Sequence, residues 1–172
     1  YEMYQFLVNS EDAKVIEYLK RFTFLDKEEI DRLEECVAQE PHLREAQKAL
    51  AREVVTFLHG SAAYETALKI TNALFKGNIC DLNADEQRDA LNSMEKRSLQ
   101  EPMDLASMLV TTKIASSKRE AREWIKCGSI QINGERVKEE TLMIDLSHVL
   151  VDDMILVKRG KRNYYVVSLT RE

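Results

Sequence analysis

The spacing of apolar residues changes along this chain, and the change restricts the fold more than any other feature. Within residues 41–60 the apolar side chains recur every three or four positions, at Leu43, Ala46, Leu50, Val54 and Leu58. This is the period of one face of an α-helix. Other segments near the start have helix N-cap signals at Ser10, Asp26 and Ser61. Because short links join these segments, residues 1–82 are predicted to form an antiparallel α-helical bundle.

The end of the chain mixes helix and strand signals. Ser117 begins a capping-box pattern for a short helix, and another helix is predicted just before it. Isoleucines then alternate with polar residues up to the dipeptide Asn133-Gly134, a strong hairpin signal. Residues 104–172 are therefore predicted to be a small α+β domain, with two helices packed on a short antiparallel β-sheet. The polar residues 83–103 are predicted to be a linker, with at most one short helix.

The formal net charge of −5 is unevenly distributed. Residues 1–82 carry 10 Lys and Arg against 15 Asp and Glu, and residues 83–103 carry 3 against 5. Residues 104–172 reverse this balance, with 12 basic against 10 acidic residues. A basic segment that follows an acidic one suggests a polyanionic partner for the C-terminal segment.

Composition argues against several classes of protein. No run of about 18 apolar residues is present, so neither a membrane-spanning helix nor a membrane partner is expected. The start is acidic where a secretory signal would be basic, and a first residue Tyr1 suggests a piece of a longer protein. The three cysteines are far apart and lack metal-ligand spacing. They are expected to be reduced, buried thiols of a cytoplasmic protein without a metal site.

Four basic residues share one face of the predicted helix after Ser117: Lys118, Arg119, Arg122 and Lys126. At about 100° per residue they fall within roughly one quarter of the helix circumference. Ala121, Trp124 and Ile125 form a separate apolar stripe that is expected to pack in the core. The helix N-terminus adds backbone N–H groups beside the Ser117 hydroxyl, which suits an anion. Taken alone, the four cations are explained as well by a solvated helix face.

A second basic cluster surrounds Gly160 and consists of Lys158, Arg159, Lys161 and Arg162. No carboxylate lies nearby in the sequence to offset their mutual repulsion, whereas phosphates would neutralise it. Asn163 adds neutral hydrogen-bonding groups and Tyr164 adds a ring for base stacking, both of which suit RNA. Tyr164 and Tyr165 also alternate as strand residues do, so at least one of them is expected in the core. Together the two clusters favour nucleic-acid binding.

The segment "SSKREAREWIKCGSIQINGERV" followed by "VKRGKRNYYVV" resembles the S-four RNA-binding domain over about the last seventy residues. The segment "YEMYQFLVNSEDAKVIEYLKRFTFLDKEEIDRLE", with "AQKALAREVVTFLHG" and "ALKITNALF", resembles the helical anticodon-binding region of bacterial tyrosyl-tRNA synthetases. The resemblance runs nearly from end to end and is weakest between the two parts. Neither a HIGH-like nor a KMSKS-like sequence is present. The chain is therefore expected to lack the class I catalytic domain of that family.

This resemblance implies a partner and a division of labour. The parent enzyme would attach tyrosine to its tRNA using ATP with Mg, and this piece would grip tyrosine tRNA at the anticodon stem and long variable arm. The piece itself is expected to have no catalytic residue, cofactor or metal. In the family, the homodimer depends on the absent domain, so this piece is expected to be a monomer.

The residues predicted to contact RNA are Ser117, Lys118, Arg119, Arg122, Lys126, Asn133, Lys158, Arg159, Lys161, Arg162, Asn163 and Tyr164. The resemblance also implies an anticodon contact for Glu11 or Asp12, although both residues would equally favour a helix N-terminus. Two other functions remain open. The chain could be the RNA-binding module of an RNA-modifying enzyme of the pseudouridine synthase type, or a protein-interaction scaffold that uses the acidic helices.

Overall fold

The structure is a computed structural model that describes residues 1–75, 77–161 and 163–170. Its internal contacts divide the chain into a first unit, Tyr1–Lys69, and a second unit, Ile70–Glu172. The predicted boundaries of 1–82, 83–103 and 104–172 differ from this division. In the described residues no helix is both long and apolar enough to cross a membrane.

The first unit is made of helices. They are α1 (Glu2–Val8), α2 (Asp12–Phe22), α3 (Lys27–Gln39), α4 (Glu45–His59) and the beginning of α5 (Ser61–Phe75). Helix α4 packs against α1, α2 and α3. The core between them includes Val15, Leu19 and Leu50, whose side chains are 0% exposed. The prediction of an N-terminal helical region is confirmed.

Helix starts in the first unit follow the cap signals only in part. Asp26 caps α3, because its carboxylate accepts a hydrogen bond of 2.9 Å from the Glu29 backbone N–H. Ser10 is not a cap, since Glu11 holds the N-cap position of α2. Ser61 is the first residue of α5 and does not precede it. Ser10 lies one position too early to reach the unpaired N–H groups of the first turn.

The second unit combines helices and strands. Its helices are the end of α5, α6 (Ala84–Asn92), α7 (Leu105–Thr111) and α8 (Lys118–Lys126). Its strands are β1 (Lys96–Leu99), β2 (Met103–Asp104), β3 (Ile130–Ile132), β4 (Glu135–Arg136), β5 (Met143–Ile144), β6 (Met154–Arg159) and β7 (Asn163–Leu169). One sheet has the order β1-β7-β6-β3-β4, and β2 pairs separately with β5. The predicted α+β class is confirmed.

The sheet is not purely antiparallel, and the predicted linker is the reason. Strand β1 lies within residues 83–103 and pairs in parallel with β7, with Leu99 opposite Leu169. Leu99 is 0% exposed, so this short strand buries an apolar residue in the core of the unit. Helix α6 precedes it with a complete capping box of Asn83 and Glu86. Parallel strands need a long crossover, which a local pattern does not reveal.

The core of the second unit places α8 beside the sheet. Buried residues of α7, α8 and the strands form one cluster, which includes Leu109, Ile125, Ile130 and Val157. Helices α7 and α8 pack against each other. The prediction of buried thiols is wrong for Cys80 and Cys127, which are exposed. Burying the apolar side of α8 turns its basic side outward.

Candidate nucleic-acid interface

Helix α8 begins at the predicted N-cap. The Ser117 hydroxyl oxygen accepts a hydrogen bond of 3.2 Å from the Glu120 backbone N–H. The Glu120 carboxylate binds Ser116, with 2.8 Å to its backbone N–H and 2.6 Å to its hydroxyl. The expected capping box is therefore shared between two serines. These hydrogen bonds from Ser116 are the main reason why the pKa of Glu120 is lowered.

The predicted sides of α8 agree with its burial. Ala121 and Ile125 are 0% exposed and pack in the core. The four cations of α8 are exposed on the other side, and we call them the α8 basic face: Lys118, Arg119, Arg122 and Lys126. An open depression is lined by Arg119, Arg122, Glu123, Lys126 and Cys127. The face is therefore a solvent-accessible surface.

The tip of the β6–β7 hairpin lies beside α8. Antiparallel pairing of β3 with β6 puts Ile130 opposite Arg159, and the Gly160 N–H donates to the Ser129 carbonyl at 2.8 Å. Because Ser129 follows α8 closely, this register brings Arg159 of the second basic cluster to the helix. The Arg159 guanidinium lies over the partly buried Trp124 ring, with Cζ 3.7 Å from the ring centroid. Arg159 thus contacts the Trp124 side of α8, which the helical period separates from the α8 basic face.

Two other predicted RNA contacts, Lys158 and Tyr164, hold the end of α5. Lys158 Nζ lies 3.2 Å and the Tyr164 hydroxyl 2.9 Å from the Leu74 carbonyl oxygen. The Phe75 and Tyr164 rings meet edge to face, 5.8 Å apart. A cation and a hydroxyl at the carboxyl end of a helix satisfy a carbonyl that has no partner within the helix. Lys161 and Asn163 are exposed at the tip, and Arg162 lies outside the described residues.

Asn133 is held in the protein by both ends of its amide. Its Nδ2 donates to the His148 carbonyl at 2.6 Å, and its Oδ1 accepts from the Leu156 N–H at 2.9 Å. Its φ of +52° and the φ of +93° at Gly134 form the predicted hairpin turn between β3 and β4. These contacts give Asn133 a structural role in anchoring the loop.

Sequence reasoning missed an acidic residue on the basic surface. Glu140 lies between β4 and β5, and its carboxylate contacts Arg122 Nε at 3.2 Å and Lys126 Nζ at 3.1 Å. No local spacing links residue 140 to α8, so nothing short of the tertiary structure could reveal this pair of contacts. The stacking of Arg159 on Trp124 was missed for the same reason.

The acidic pair in the first unit has two different environments. The Asp12 carboxylate accepts a hydrogen bond of 2.5 Å from Gln47 Nε2 and lies 3.8 Å from Arg44 Nη1. Gln47 is 1% exposed, so Asp12 is attached to a buried residue of α4. Glu11 is exposed and pairs with Lys14 at 3.0 Å. Helix α2 begins at these residues, so both carboxylates lie where they favour a helix N-terminus.

The second unit exposes cations on α8 and at the hairpin tip. Guanidinium and ammonium groups on α8 and at the hairpin tip are donors without acceptor capacity, and phosphate oxygens are their natural partners. In residues 1–75, 77–161 and 163–170, no group of three or more potential metal ligands is found. The second unit is thus a small α+β module with an exposed basic helix face.

Two family models match parts of this chain. Residues 86–167 match the tyrosine–tRNA ligase SYY-like C-terminal domain, and residues 1–76 match tRNA synthetases class I (W and Y). The chain is similar over nearly its whole length to the C-terminal region of tyrosine–tRNA ligases. This confirms the resemblance found in the sequence. The matches favour neither an RNA-modifying enzyme nor an interaction scaffold.

Individual relatives and one solved structure are similar to this chain over different shares of its length. A tyrosine–tRNA ligase of Staphylococcus epidermidis is 43% identical over 169 residues, which are 98% of this chain and 40% of that protein. A tyrosine–tRNA ligase of Staphylococcus carnosus is 44% identical with the same coverage. The chain therefore spans about two fifths of the length of these relatives. A solution structure of a tyrosyl-tRNA synthetase C-terminal domain is 32% identical, covering 57% of this chain and 100% of that one, with a TM-score of 0.45.

Proposed function

We propose that this chain is the tRNA-binding part of a tyrosine–tRNA ligase and that it binds tyrosine tRNA. The parent enzyme attaches tyrosine to its tRNA using ATP, and its ATP and Mg site belongs to a catalytic domain outside this sequence. The chain contributes binding energy and orientation. The similarity to the C-terminal region of ligases over 98% of the chain supports this proposal.

The exposed α8 basic face, in a segment that matches the tyrosine–tRNA ligase C-terminal domain, is the observation that carries the proposal. The hairpin tip adds Arg159, which contacts Trp124 on another side of the same helix. A single row of exposed cations on a helix is common and needs no ligand. Here the row lies in the matched domain, and a second basic cluster follows in the same unit; both are explained if a polyanion neutralises them. A folded RNA presents many phosphates over a wide surface. The long variable arm of tyrosine tRNA is the proposed ligand.

The predicted residues take different parts in the proposal. The phosphate contacts come from the exposed groups Ser117, Lys118, Arg119, Arg122, Lys126, Lys161 and Asn163, and from the half-buried Arg159. Asn133, Lys158 and Tyr164 support the surface through their contacts with the protein and approach the RNA from its edge. Arg162 joins the phosphate contacts on the basis of its sequence position alone. In the first unit, Glu11 is the better candidate for an anticodon contact, since Asp12 is bound to Gln47.

The proposal extends to assembly and location. The chain alone is a monomer, and the parent enzyme dimerises through its catalytic domain. The parent acts in the cytoplasm, where tRNA is charged. Sedimentation equilibrium of the chain at micromolar concentration tests whether it is a monomer, because a dimer would give twice the mass of one chain.

Filter binding of tyrosine tRNA with and without its variable arm tests the proposed ligand. If about six cations each meet a phosphate, log affinity should fall against log salt with a slope of about −4 to −5. Removal of the arm should weaken binding and reduce that slope, because fewer counterions are released. A slope near zero, or equal binding of both tRNAs, would contradict the proposal.

The double substitution Arg119→Ala with Arg122→Ala tests the α8 basic face. It should weaken tRNA binding at least tenfold and reduce the salt slope by about 2, since two phosphate contacts are lost. The fold should be intact, because both side chains are exposed. The matched control is Lys20→Ala with Arg21→Ala, an exposed basic pair at the end of α2. Equal losses in both double variants would mean that net charge, and not this face, determines binding.

A further inference from the structure

Glu140 bridges two cations of the α8 basic face. One carboxylate oxygen lies 3.2 Å from Arg122 Nε, and the other lies 3.1 Å from Lys126 Nζ. The Glu140 side chain is 27% exposed, whereas those of Arg122 and Lys126 are 56% and 71% exposed. The carboxylate therefore approaches from the body of the unit and leaves the outer side of both cations open to solvent.

This geometry resembles the one that an RNA phosphate would adopt. Two anionic oxygens lie at ion-pair distance from cations one helical turn apart, as phosphate oxygens do between basic side chains. We propose that Glu140 is an intramolecular competitor for the phosphate groups of the RNA ligand. In the free protein it occupies Arg122 and Lys126, and a phosphate must displace it from them. The inference rests on the proposed function and goes beyond it. It states that an acidic residue limits the affinity of this chain for RNA.

The strength of the contacts suits such a competitor. Exposed ion pairs are weak, because water and salt screen the charges. Many phosphates of one RNA act together, so the RNA can displace a single carboxylate that a lone anion would not. Within the described ranges, Arg119 has no ion-pair partner, and it is available to the ligand from the start. Arg119 is thus suited to the first contact, and Arg122 and Lys126 to contacts made after Glu140 has moved.

Glu140→Gln in the full chain tests the inference, with filter binding of tyrosine tRNA as the assay. The substitution removes the competing charge and keeps the side-chain shape. Affinity should rise about threefold to tenfold, and the salt slope should become steeper by about 1 as contacts are gained. The matched control is Glu139→Gln, which makes the same change of net charge at the neighbouring exposed residue. The Glu139 carboxylate accepts a hydrogen bond from the Thr141 hydroxyl at 3.0 Å, so its loss should change affinity less than about twofold.

A background without the two cations separates competition from a general charge effect. In a chain with Arg122→Ala and Lys126→Ala, Glu140→Gln should no longer raise the affinity. Equal effects of Glu140→Gln and Glu139→Gln would overturn the inference and leave the proposed function standing. Weaker binding by Glu140→Gln would also overturn it, since Glu140 would then position the cations for the RNA. Absence of salt-dependent binding by the wild-type chain would overturn the proposed function, and the inference with it.

Discussion

Trp124→Ala tests how Arg159 is held beside α8. The ring is partly buried against the core of the second unit, and Arg159 covers its outer side at 3.7 Å. A fully covered Trp buries roughly 150–250 Å², and each Å² of apolar area contributes about 25 cal/mol. Because part of this ring is exposed, we expect the substitution to reduce the free energy of unfolding by about 3 kcal/mol. The stacked Arg159 accounts for about 0.5–1 kcal/mol of that loss.

A double-mutant cycle isolates the stacking contribution. The four chains are wild type, Trp124→Ala, Arg159→Ala and the double variant, unfolded in urea and followed by circular dichroism. Since the two units can unfold separately, amide hydrogen exchange in β6 and β7 should be measured on the same chains. The coupling between the two substitutions should be about 0.5–1 kcal/mol. Trp124→Phe, which keeps an aromatic face, should retain most of this coupling.

Binding data complete the test. If Trp124 holds Arg159 for the RNA, Trp124→Ala should lower tRNA affinity about as much as Arg159→Ala, under conditions where both chains are folded. Trp124→Phe should bind nearly as tightly as wild type. A coupling of zero, together with an unchanged melting temperature for Trp124→Ala, would refute the reasoning, because it would mean that the ring neither packs nor stacks.

Two further predictions concern the fold of the second unit. Asp104 caps α7 by accepting from the Ser107 N–H at 3.0 Å, so Asp104→Ala should cost about 1 kcal/mol in urea unfolding. Hydrogen bonds from the Ser107 side chain and backbone lower the pKa of Asp104. Its stabilisation is thus complete above the unfolded pKa of about 3.9 and is lost as pH falls through the folded pKa. Asp104→Asn should keep the cap but lose this acid dependence; an unaltered dependence would contradict the assignment. Gly134→Ala should cost about 2–3 kcal/mol in thermal unfolding, because φ is +93° and a Cβ would lie 2.7 Å from Asn78 Oδ1. Gly160 is the control: its φ is also positive, +63°, but an added Cβ would have no atom within 4 Å. An equal loss of stability for Gly160→Ala would show that the contact with Asn78 costs nothing.

Several features that depend on neighbours in the sequence were predicted correctly, although Ser10 and Ser61 are not caps. The caps Asp26 and Ser117 were found from their residue types, because the hydrogen bonds involved reach only three positions. The Asn133-Gly134 turn was found for a similar reason, since its dihedral angles suit those residues. The separation of basic and apolar sides on α8 follows from helical geometry alone. The family resemblance added the expected ligand, which no local pattern specifies.

What the sequence determined by itself was therefore the helices, the hairpin turn and the exposed basic side of α8, because each is fixed by contacts between residues a few positions apart. The tertiary structure decided which distant groups meet. It placed β1 beside β7, bound Lys158 to a carbonyl 84 positions earlier in the chain, and brought Glu140 to Arg122. The physical reason is that sheet register and side-chain packing depend on the whole core. A basic residue that is exposed by local geometry can therefore be free, stacked or paired, and only the fold decides which.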